Sequence, residues 1–309
     1  MARLLYIIGP TGVGKTALAI ALAMRFQGEI ISADSRQVYR RMDIGTAKPS
    51  AEERKQAPHH LLDLLDPGGA FDLATFLSLA QAAVGDIQGR DALPIVAGGT
   101  GQYVWALHEG WTVPQVPPDP EFRESKRLEA EQKGHQALYQ ELQAIDPVRA
   151  AGLDPRNVRR VIRALEIHHA TQLPPSRFGG RAQDGSGALV LGLTMDRKEL
   201  YRRIDRRVDR MVDQGFLEEV KGLAALGLNL TEGALASPGY RELGQHLSGE
   251  LSLDEAIQRT KFQTHRLARR QYSWFKLGDP RITWLEATGG DVVESAVARV
   301  EEYLSGSWT

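Results

Sequence analysis

The 309-residue sequence contains no cysteine, which excludes disulfides, thiolate catalysis and cysteine-ligated zinc or iron–sulfur sites. It also lacks a low-complexity segment, a charged leader followed by an apolar stretch, and any run of about 18 apolar residues. We therefore expect a soluble, cytoplasmic protein. The net charge of −1 argues against a surface that is basic throughout. With 42% hydrophobic residues, the chain can bury a sizeable core in two domains or in one elaborated domain.

Residues 9–16 read GPTGVGKT and match the phosphate-binding pattern G-x-x-x-x-G-K-[ST]. The pattern follows a predicted strand at 4–8 and opens a predicted helix at 15–26, so backbone N–H groups and the positive end of a helix dipole would face an anion. The alternative is a glycine-rich turn in an ordinary βα unit. The candidate phosphate-binding residues are Gly9, Thr11, Gly12, Val13, Gly14, Lys15 and Thr16, and Thr16 is the candidate Mg²⁺ ligand.

Nucleotide hydrolases usually place an acidic residue at the end of a second apolar strand, where it organises Mg²⁺. Neither apolar segment that could supply it here matches that arrangement. The apolar segment at 93–97 runs into glycines and meets no carboxylate. The segment at 29–33 does end in an acid, Asp34, but Ser35, Arg36 and Gln37 follow it. This cluster of hydrogen-bonding groups is better suited to holding a second substrate, so the loop is expected to serve a chemistry other than nucleotide hydrolysis.

The hydrophobic pattern predicts an α/β fold, with a P-loop-type parallel sheet covered by helices on both faces and a helical domain inserted into it. Predicted strands lie at 3–9, 29–33, 94–97, 188–194 and 281–286, and predicted helices near 15–26, 72–88, 102–109, 197–225, 252–277 and 290–305. The alternation fails after Pro114, where helical runs at 121–133, 135–145 and 155–170 precede a turn-rich tract. We expect a catalytic core of 1–114 and 188–309, and an insertion at 115–187.

Two stretches are basic and free of acidic residues. Residues 259–276 hold six Lys or Arg side chains interleaved with aromatic residues, and residues 156–163 hold four arginines. A basic helix with aromatic side chains is typical of surfaces that follow a nucleic-acid backbone. The alternative for each stretch is a solvated helix face.

Six segments together resemble successive motifs of the tRNA dimethylallyltransferases, also called tRNA isopentenyltransferases. They are residues 30–39 (IISADSRQVY), 42–49 (MDIGTAKP), 58–61 (PHHL), 98–101 (GGTG), 161–166 (VIRALE) and 270–275 (RQYSWF). The resemblance extends from residue 7 to about residue 285. It implies transfer of a dimethylallyl group from dimethylallyl diphosphate to N6 of adenine 37, next to the anticodon of tRNA, with Mg²⁺ as cofactor. The implied partners are the tRNA anticodon stem-loop and the diphosphate, with no membrane and no obligate protein partner.

An exocyclic amine of adenine is a poor nucleophile, because its lone pair is delocalised into the ring. A carboxylate must therefore accept its proton as the new C–N bond forms. Asp34 is the candidate base, and a helix N-cap is the alternative role for it. Thr100, which follows two glycines, is the candidate for orienting the amine or the Asp34 carboxylate. A simple turn residue is the alternative for Thr100.

The predicted helix at 197–225 offers cations for the diphosphate leaving group. Arg203, Arg207 and Arg210 fall on one face, opposite an apolar face. The resemblance favours Arg203 or Arg207 as the catalytic arginine without separating the two. The alternative is surface ion pairing with the acidic residues Glu199, Asp205 and Asp209.

By the resemblance, the insertion grips the tRNA anticodon stem-loop, while Ser35, Arg36 and Gln37 read the displaced base or its neighbours. The candidate tRNA-binding residues are Asp34, Ser35, Arg36, Gln37, Thr100, Arg123, Arg159, Arg160, Arg163, Gly239, Tyr240, Arg269, Arg270 and Gln271. Two other functions stay open from the residues alone. One is a P-loop small-molecule kinase with Asp34 as base, and the other is a non-enzymatic RNA-binding protein with a vestigial phosphate site.

Overall fold

The protein is described from a computed structural model over residues 3–180 and 187–306. The chain forms two compact units, one made of Met1–His108 with Gly185–Thr309 and the other of Glu109–Asp184. The domain boundaries expected from sequence, at 115 and 187, stay a proposal. Part of the turn-rich tract before residue 187 lies outside the described residues.

The first unit is built on a parallel sheet. Its strands are β1 (Leu4–Ile8), β2 (Gly28–Ser32), β3 (His59–His60), β4 (Leu93–Gly98), β5 (Ala188–Thr194) and β6 (Thr283–Glu286). Their order across the sheet is β3-β2-β4-β1-β5-β6, and every neighbouring pair is parallel. The parallel sheet predicted from the hydrophobic pattern is confirmed. Strand β3 was not predicted from sequence. It has only two residues, both half-buried histidines, so it shows no alternation of buried and exposed positions.

The helices of the described chain follow in order. They are α1 (Lys15–Phe26), α2 (Ala51–Gln56), α3 (Leu73–Gln88), α4 (Gly101–His108), α5 (Pro120–Lys133), α6 (His135–Ile145), α7 (Pro147–Ala151), α8 (Val158–Thr171), α9 (Arg197–Asp213), α10 (Phe216–Ala225), α11 (Tyr240–Leu247), α12 (Leu253–Trp274) and α13 (Val292–Ser305). Within residues 3–180 and 187–306, no helix is long and apolar enough to span a membrane.

Helices cover both faces of the sheet, and strand β1 shows why. Successive side chains of a strand point to opposite faces. Leu5 and Ile7 belong to a core cluster with residues of α1 and α13, whereas the ring of Tyr6, between them, meets His108 of α4 with ring centres 5.3 Å apart. Burying a Leu or Ile side chain fully stabilises the folded state by about 1.5–3 kcal/mol. Because β1 buries side chains on both of its faces, both faces contribute to stability. The expected coverage of both faces is confirmed.

The helix expected at 197–225 is two helices in the structure. Asp196 starts α9 by accepting hydrogen bonds from the N–H groups of Lys198 and Glu199. The chain then turns at Gly215, whose φ of +97° is a left-handed conformation that favours glycine. The prediction of one continuous helix was wrong because the apolar period continues across the break.

The second unit is a helical cluster. Its core is formed by Leu138, Leu142, Ala150, Leu153, Val161, Ile162, Ala164 and Leu165. Among the buried acidic residues of this unit, Glu166 is 1% exposed and accepts hydrogen bonds from Arg123 and Arg163. A buried carboxylate costs several kcal/mol unless it is paired, so this pairing with two arginines is needed for α5 and α8 to pack.

Four loops of the first unit leave the same edge of the sheet. They follow the carboxyl ends of β1, β2, β4 and β5. In open parallel sheets, ligands bind at this edge. The phosphate loop, Asp34, Thr100 and the start of α9 are therefore brought together by topology.

Candidate active site

The phosphate loop follows β1 and ends at α1. Gly14 is the N-cap of α1 with φ +110° and ψ +16°, and no side chain caps the helix. A Cβ built on Gly9 would stand 2.5 Å from the carbonyl oxygen of Leu193 on β5, so only glycine fits there. The N-terminal N–H groups of α1 are left for an anion. Val13 packs in the core beneath the loop.

Lys15 folds back over this loop. Its Nζ donates to the carbonyl oxygens of Gly9 (3.0 Å) and Pro10 (2.8 Å). Burial lowers the pKa of Lys15 from 10.5 to about 8; the carboxylate of Asp34 opposes this lowering of the pKa, and the cation of Arg207 adds to it. The three charged groups therefore lie near enough to affect one another, and an arriving anion would favour the protonated lysine.

Asp34 lies two residues beyond β2. Its Oδ1 accepts a hydrogen bond from the N–H of Arg36 at 2.9 Å, so the carboxylate closes a local turn and does not cap a helix. An ionised carboxylate has further lone pairs for substrate. Asp34 lines an open cleft of about 1600 Å³ together with Lys15 and Thr16.

Thr100 connects the end of β4 to the Asp34 segment. Its Oγ1 accepts a hydrogen bond from the N–H of Ser35 at 3.1 Å, and its own N–H donates to the carbonyl oxygen of Ala33 at 3.2 Å. Because a hydroxyl both accepts and donates, the hydroxyl proton of Thr100 is left to bind a neighbouring acceptor. The structure thus brings Thr100 beside the candidate base through Ser35.

The two candidate arginines of α9 differ in their surroundings. Both line the large cleft, but only Arg207 also lines a smaller cavity of about 100 Å³ that Thr11 and Asp34 share. Burial lowers the pKa of Arg207, against the opposing effect of the Asp34 carboxylate. Arg203 points its Nη1 to within 4.0 Å of the Met195 sulfur. Arg207 is therefore the arginine whose charge interacts with the carboxylate of the candidate base, Asp34.

Three acidic residues of α9 have partners other than these two arginines. Glu199 pairs with Arg202 and Arg206, Asp205 lies 2.8 Å from His265, and Asp209 lies 2.6 Å from Lys261. The apolar side of α9, made of Leu200, Ile204, Val208 and Met211, is buried as the sequence predicted. The cleft side of the helix is thus left with a positive potential.

The cleft fits a divalent cation of the Mg²⁺ type. The hydroxyl of Thr16 lines it and is a hard oxygen donor. Among residues 3–180 and 187–306, no group of three or more His, Cys, Asp or Glu side chains is placed to hold a metal. Mg²⁺ commonly keeps several waters and uses one or two protein oxygens plus phosphate oxygens, so a sparse donor set suits it.

Four of the arginines expected to bind RNA are exposed. Arg269 and Arg270 lie on the outer face of α12, and Arg159 and Arg160 on the outer face of α8. Phe262 is 55% exposed on α12, with the guanidinium of Arg266 5.9 Å from its ring centre. This helix therefore presents both positive charge and an aromatic face to solvent.

The structure gives two of the proposed tRNA arginines internal partners. Arg123 binds both carboxylate oxygens of the buried Glu166, and Arg163 binds Glu166 and the Val116 carbonyl oxygen. These bonds hold the second unit together. A stabilising role thus accounts for Arg123 and Arg163 without RNA.

Further candidates face inward as well. Tyr240 is fully buried, and its hydroxyl donates to Glu219 at 2.7 Å; Gly239 is buried beside it with φ +95°. The amide of Gln37 accepts from the Ser32 hydroxyl and donates to the carbonyl oxygens of residues 46 and 47. These groups shape the walls of the site and have no polar atom to spare for a base edge.

Two side chains that organise the site, the buried Gln271 and the partly buried Glu219, were not predicted from sequence. Gln271 accepts from the Thr11 N–H, so this one loop N–H is occupied and does not point at an anion. Glu219 accepts from three consecutive N–H groups, those of residues 43–45. No local pattern identifies either contact, because their partners lie more than 170 residues away.

Comparison with known proteins identifies the family of this chain. Residues 37–278 match the family model described as IPP transferase, and residues 2–63 match the one described as isopentenyl transferase. The chain is 50% identical over 298 residues to the tRNA dimethylallyltransferase of Thermomicrobium roseum, covering 96% of this chain and 90% of that protein. It is 45% identical over 304 residues to that of a Roseiflexus species, covering 98% and 99%.

Solved structures give the same result. The full-length tRNA isopentenylpyrophosphate transferase of Bacillus halodurans has a TM-score of 0.72 and 38% identity, with 99% of each chain covered. A eukaryotic dimethylallyltransferase solved acting on tRNA has a TM-score of 0.84 and 28% identity, covering 99% of this chain and 80% of that one. These relatives favour neither a small-molecule kinase nor a non-enzymatic RNA-binding protein.

Proposed function

This chain belongs to the tRNA dimethylallyltransferase family, and we propose that it moves the dimethylallyl group of dimethylallyl diphosphate onto N6 of adenine 37, next to the anticodon of tRNA. The observation that carries the proposal is that Asp34, Lys15 and Arg207 line the same cleft. Asp34 opposes the lowering of the pKa of both cations. A base for the amine and cations for the diphosphate therefore share one cleft.

In the proposed reaction, N6 of the adenine attacks C1 of the dimethylallyl group while the bond from C1 to the diphosphate oxygen breaks. The proton of the amine passes to the carboxylate of Asp34. The hydroxyl proton of Thr100 orients the amine or the carboxylate, since Thr100 is fixed to the backbone beside Asp34.

The leaving diphosphate gains negative charge, which fixed positive groups stabilise. We assign this role to Lys15, to Arg207 and to the N–H groups at the start of α1. Thr16 would hold Mg²⁺, which when bound would offset charge on the phosphate oxygens. Lys15 would leave its two carbonyl partners for the diphosphate, which exchanges two neutral acceptors for negatively charged ones.

We assign the RNA backbone to the exposed arginines and the displaced base to residues 34–36. Arg269 and Arg270 on α12, and Arg159 and Arg160 on α8, supply the positive charge, and the inserted helical segment 115–187 holds the anticodon stem-loop. Because tRNA is the substrate, we also propose the cytoplasm as the site of the reaction.

Replacing Arg269 and Arg270 with alanine should flatten the salt dependence of tRNA binding. Each phosphate contact that is lost lowers the slope of log affinity against log salt concentration by about one unit, so we expect a change of about one to two units. Filter binding at several salt concentrations measures it. An unchanged slope would assign both arginines to the fold alone.

Replacing Arg159 and Arg160 with alanine should weaken tRNA binding and leave the KM for dimethylallyl diphosphate within about twofold, because the phosphate loop belongs to the other unit. Arg156 is the matched control. It is exposed on the same segment but tied to Asp154 at 2.9 Å, so Arg156→Ala should change tRNA affinity less. Equal losses for the double variant and the control would argue against a specific contact.

Three parallel incubations test the function itself. The protein is mixed with unmodified tRNA and either dimethylallyl diphosphate, ATP or neither, and the tRNA is weighed by mass spectrometry. We expect one five-carbon unit to be added only with dimethylallyl diphosphate. A phosphate added from ATP, or binding without any change in mass, would contradict the proposal.

A further inference from the structure

Gln271 of α12 joins two loops of the active site. Its Oε1 accepts a hydrogen bond from the Thr11 N–H at 2.7 Å, and its Nε2 donates to the Gly99 carbonyl oxygen at 3.0 Å. The residue is 8% exposed, so water does not replace these bonds easily. A glutamine amide has one accepting and one donating end, and here each end is used on a different loop.

The glycine at 99 makes this bridge possible. A Cβ built on Gly99 would stand 2.1 Å from Nε2 of Gln271, closer than any side chain allows. The amide therefore packs directly against the backbone of the turn that follows β4. Its position is fixed by contact as well as by hydrogen bonding.

The two loops that Gln271 joins hold different groups of the proposed reaction: one holds groups for the diphosphate, and the other holds groups for the amine. Thr11 belongs to the phosphate loop, which leads to Lys15. Gly99 precedes Thr100, whose Oγ1 holds the N–H of Ser35 next to Asp34. A shift of the amide would change the distance between the groups for the diphosphate and the groups for the amine.

The part of α12 around Gln271 is itself held firmly. The Tyr272 hydroxyl shares a hydrogen bond with Thr194 at the end of β5 (3.1 Å), and the Trp274 carbonyl oxygen accepts from Nε1 of Trp105 (2.9 Å). Arg270 precedes Gln271 in the helix and points to solvent. Successive residues of a helix point in directions about 100° apart. Arg270 can therefore face RNA, as we propose, while Gln271 faces inward.

We propose that Gln271 is a positioning residue that sets the distance between the phosphate loop and the Thr100 turn, and not a residue that contacts tRNA. The inference rests on the proposed function, because the two loops need a fixed separation only if leaving group and amine react across them. The loss of such alignment lowers the rate of the chemical step more than it lowers affinity.

Two substitutions and a control test this role. Gln271→Met keeps the length but removes both hydrogen bonds, and we expect kcat to fall about 10- to 100-fold with tRNA affinity within about threefold of wild type. Gln271→Glu keeps the acceptor for Thr11 but places a carboxylate oxygen opposite the Gly99 carbonyl. Ser273→Ala, two residues on, removes an exposed hydroxyl that bonds only its own helix in the described chain, and it should behave as wild type.

The pH profile of Gln271→Glu separates positioning from a general loss of stability. When protonated, a glutamic acid side chain has the same donor and acceptor pattern as glutamine, and burial beside a carbonyl raises the pKa of a carboxyl group. We therefore expect the ratio of variant to wild-type kcat to rise as the pH falls. A ratio that is flat with pH, or unchanged kcat in both variants, would overturn the proposal.

Binding measurements complete the test. Calorimetry with inorganic pyrophosphate and filter binding with tRNA are run on every variant, so folding and site occupancy are known independently of turnover. A loss of tRNA affinity like that of Arg270→Ala, with kcat retained, would make Gln271 an RNA contact instead. Failure of the wild-type protein to prenylate tRNA would contradict the proposed function and would be seen before any variant is compared.

Discussion

Asp34→Asn is expected to slow prenyl transfer by about 10²–10⁴-fold, the usual contribution of a positioned general base. Asparagine keeps the size of the side chain and can still accept the hydrogen bond from the Arg36 N–H, so the local turn should survive. It cannot accept the proton of the amine. Substrates should therefore assemble normally, and only the chemical step should be slow.

Single-turnover rates with saturating tRNA and dimethylallyl diphosphate measure that step directly. The matched control is Asp43→Asn, which changes another carboxylate at the wall of the same cleft that is bound to Lys48; it should affect the rate much less. A rate for Asp34→Asn within a few-fold of wild type would leave Asp34 with only its turn-closing role.

Lys15→Ala is expected to lower kcat/KM for dimethylallyl diphosphate by an amount equivalent to about 3 kcal/mol, the scale of one preorganised charged donor to a leaving group. Affinity for tRNA should stay within a few-fold, because Lys15 contacts only the phosphate loop in the described structure. Steady-state kinetics and filter binding measure the two quantities. An equal collapse of tRNA binding would contradict this separation of roles.

The pKa of Lys15 adds a pH dependence to the same prediction. Burial lowers that pKa to about 8 in the free protein, so the lysine is charged below this pH and increasingly neutral above it. Binding an anion requires the charged form, and above about pH 8 a proton must be taken up. Affinity for dimethylallyl diphosphate should fall as the pH rises through this value in wild type. Lys15→Ala should lose this component of the pH dependence.

The phosphate loop, the strands on either side of it and the position of Asp34 could be predicted from sequence because each depends on local pattern. Residues 9–16 specify their own backbone through glycines, and the end of an apolar strand fixes where Asp34 lies. Parallel topology then brings such strand ends to one edge without further information. The convergence of Lys15, Asp34 and Thr100 follows from these facts alone.

What could not be predicted depends on long-range pairing. Gln271 adjoins two exposed arginines in a basic stretch, and only the docking of α12 turns it inward to Thr11. Arg163 belongs to another basic stretch, yet the buried Glu166 engages it. The choice of Arg207 over Arg203 likewise depends on how α9 lies against the phosphate loop. Charge patterns along the chain do not tell an arginine that binds RNA from one that binds a buried carboxylate.

The position of the added group is the most direct test of the proposed function. Transcribed tRNA is incubated with the protein and dimethylallyl diphosphate, digested with a nuclease, and its fragments are weighed; a tRNA with guanine in place of adenine 37 is the matched control. We expect one five-carbon unit on the fragment that contains adenine 37 and none on the guanine control. Modification elsewhere, or equal modification of both tRNAs, would contradict it.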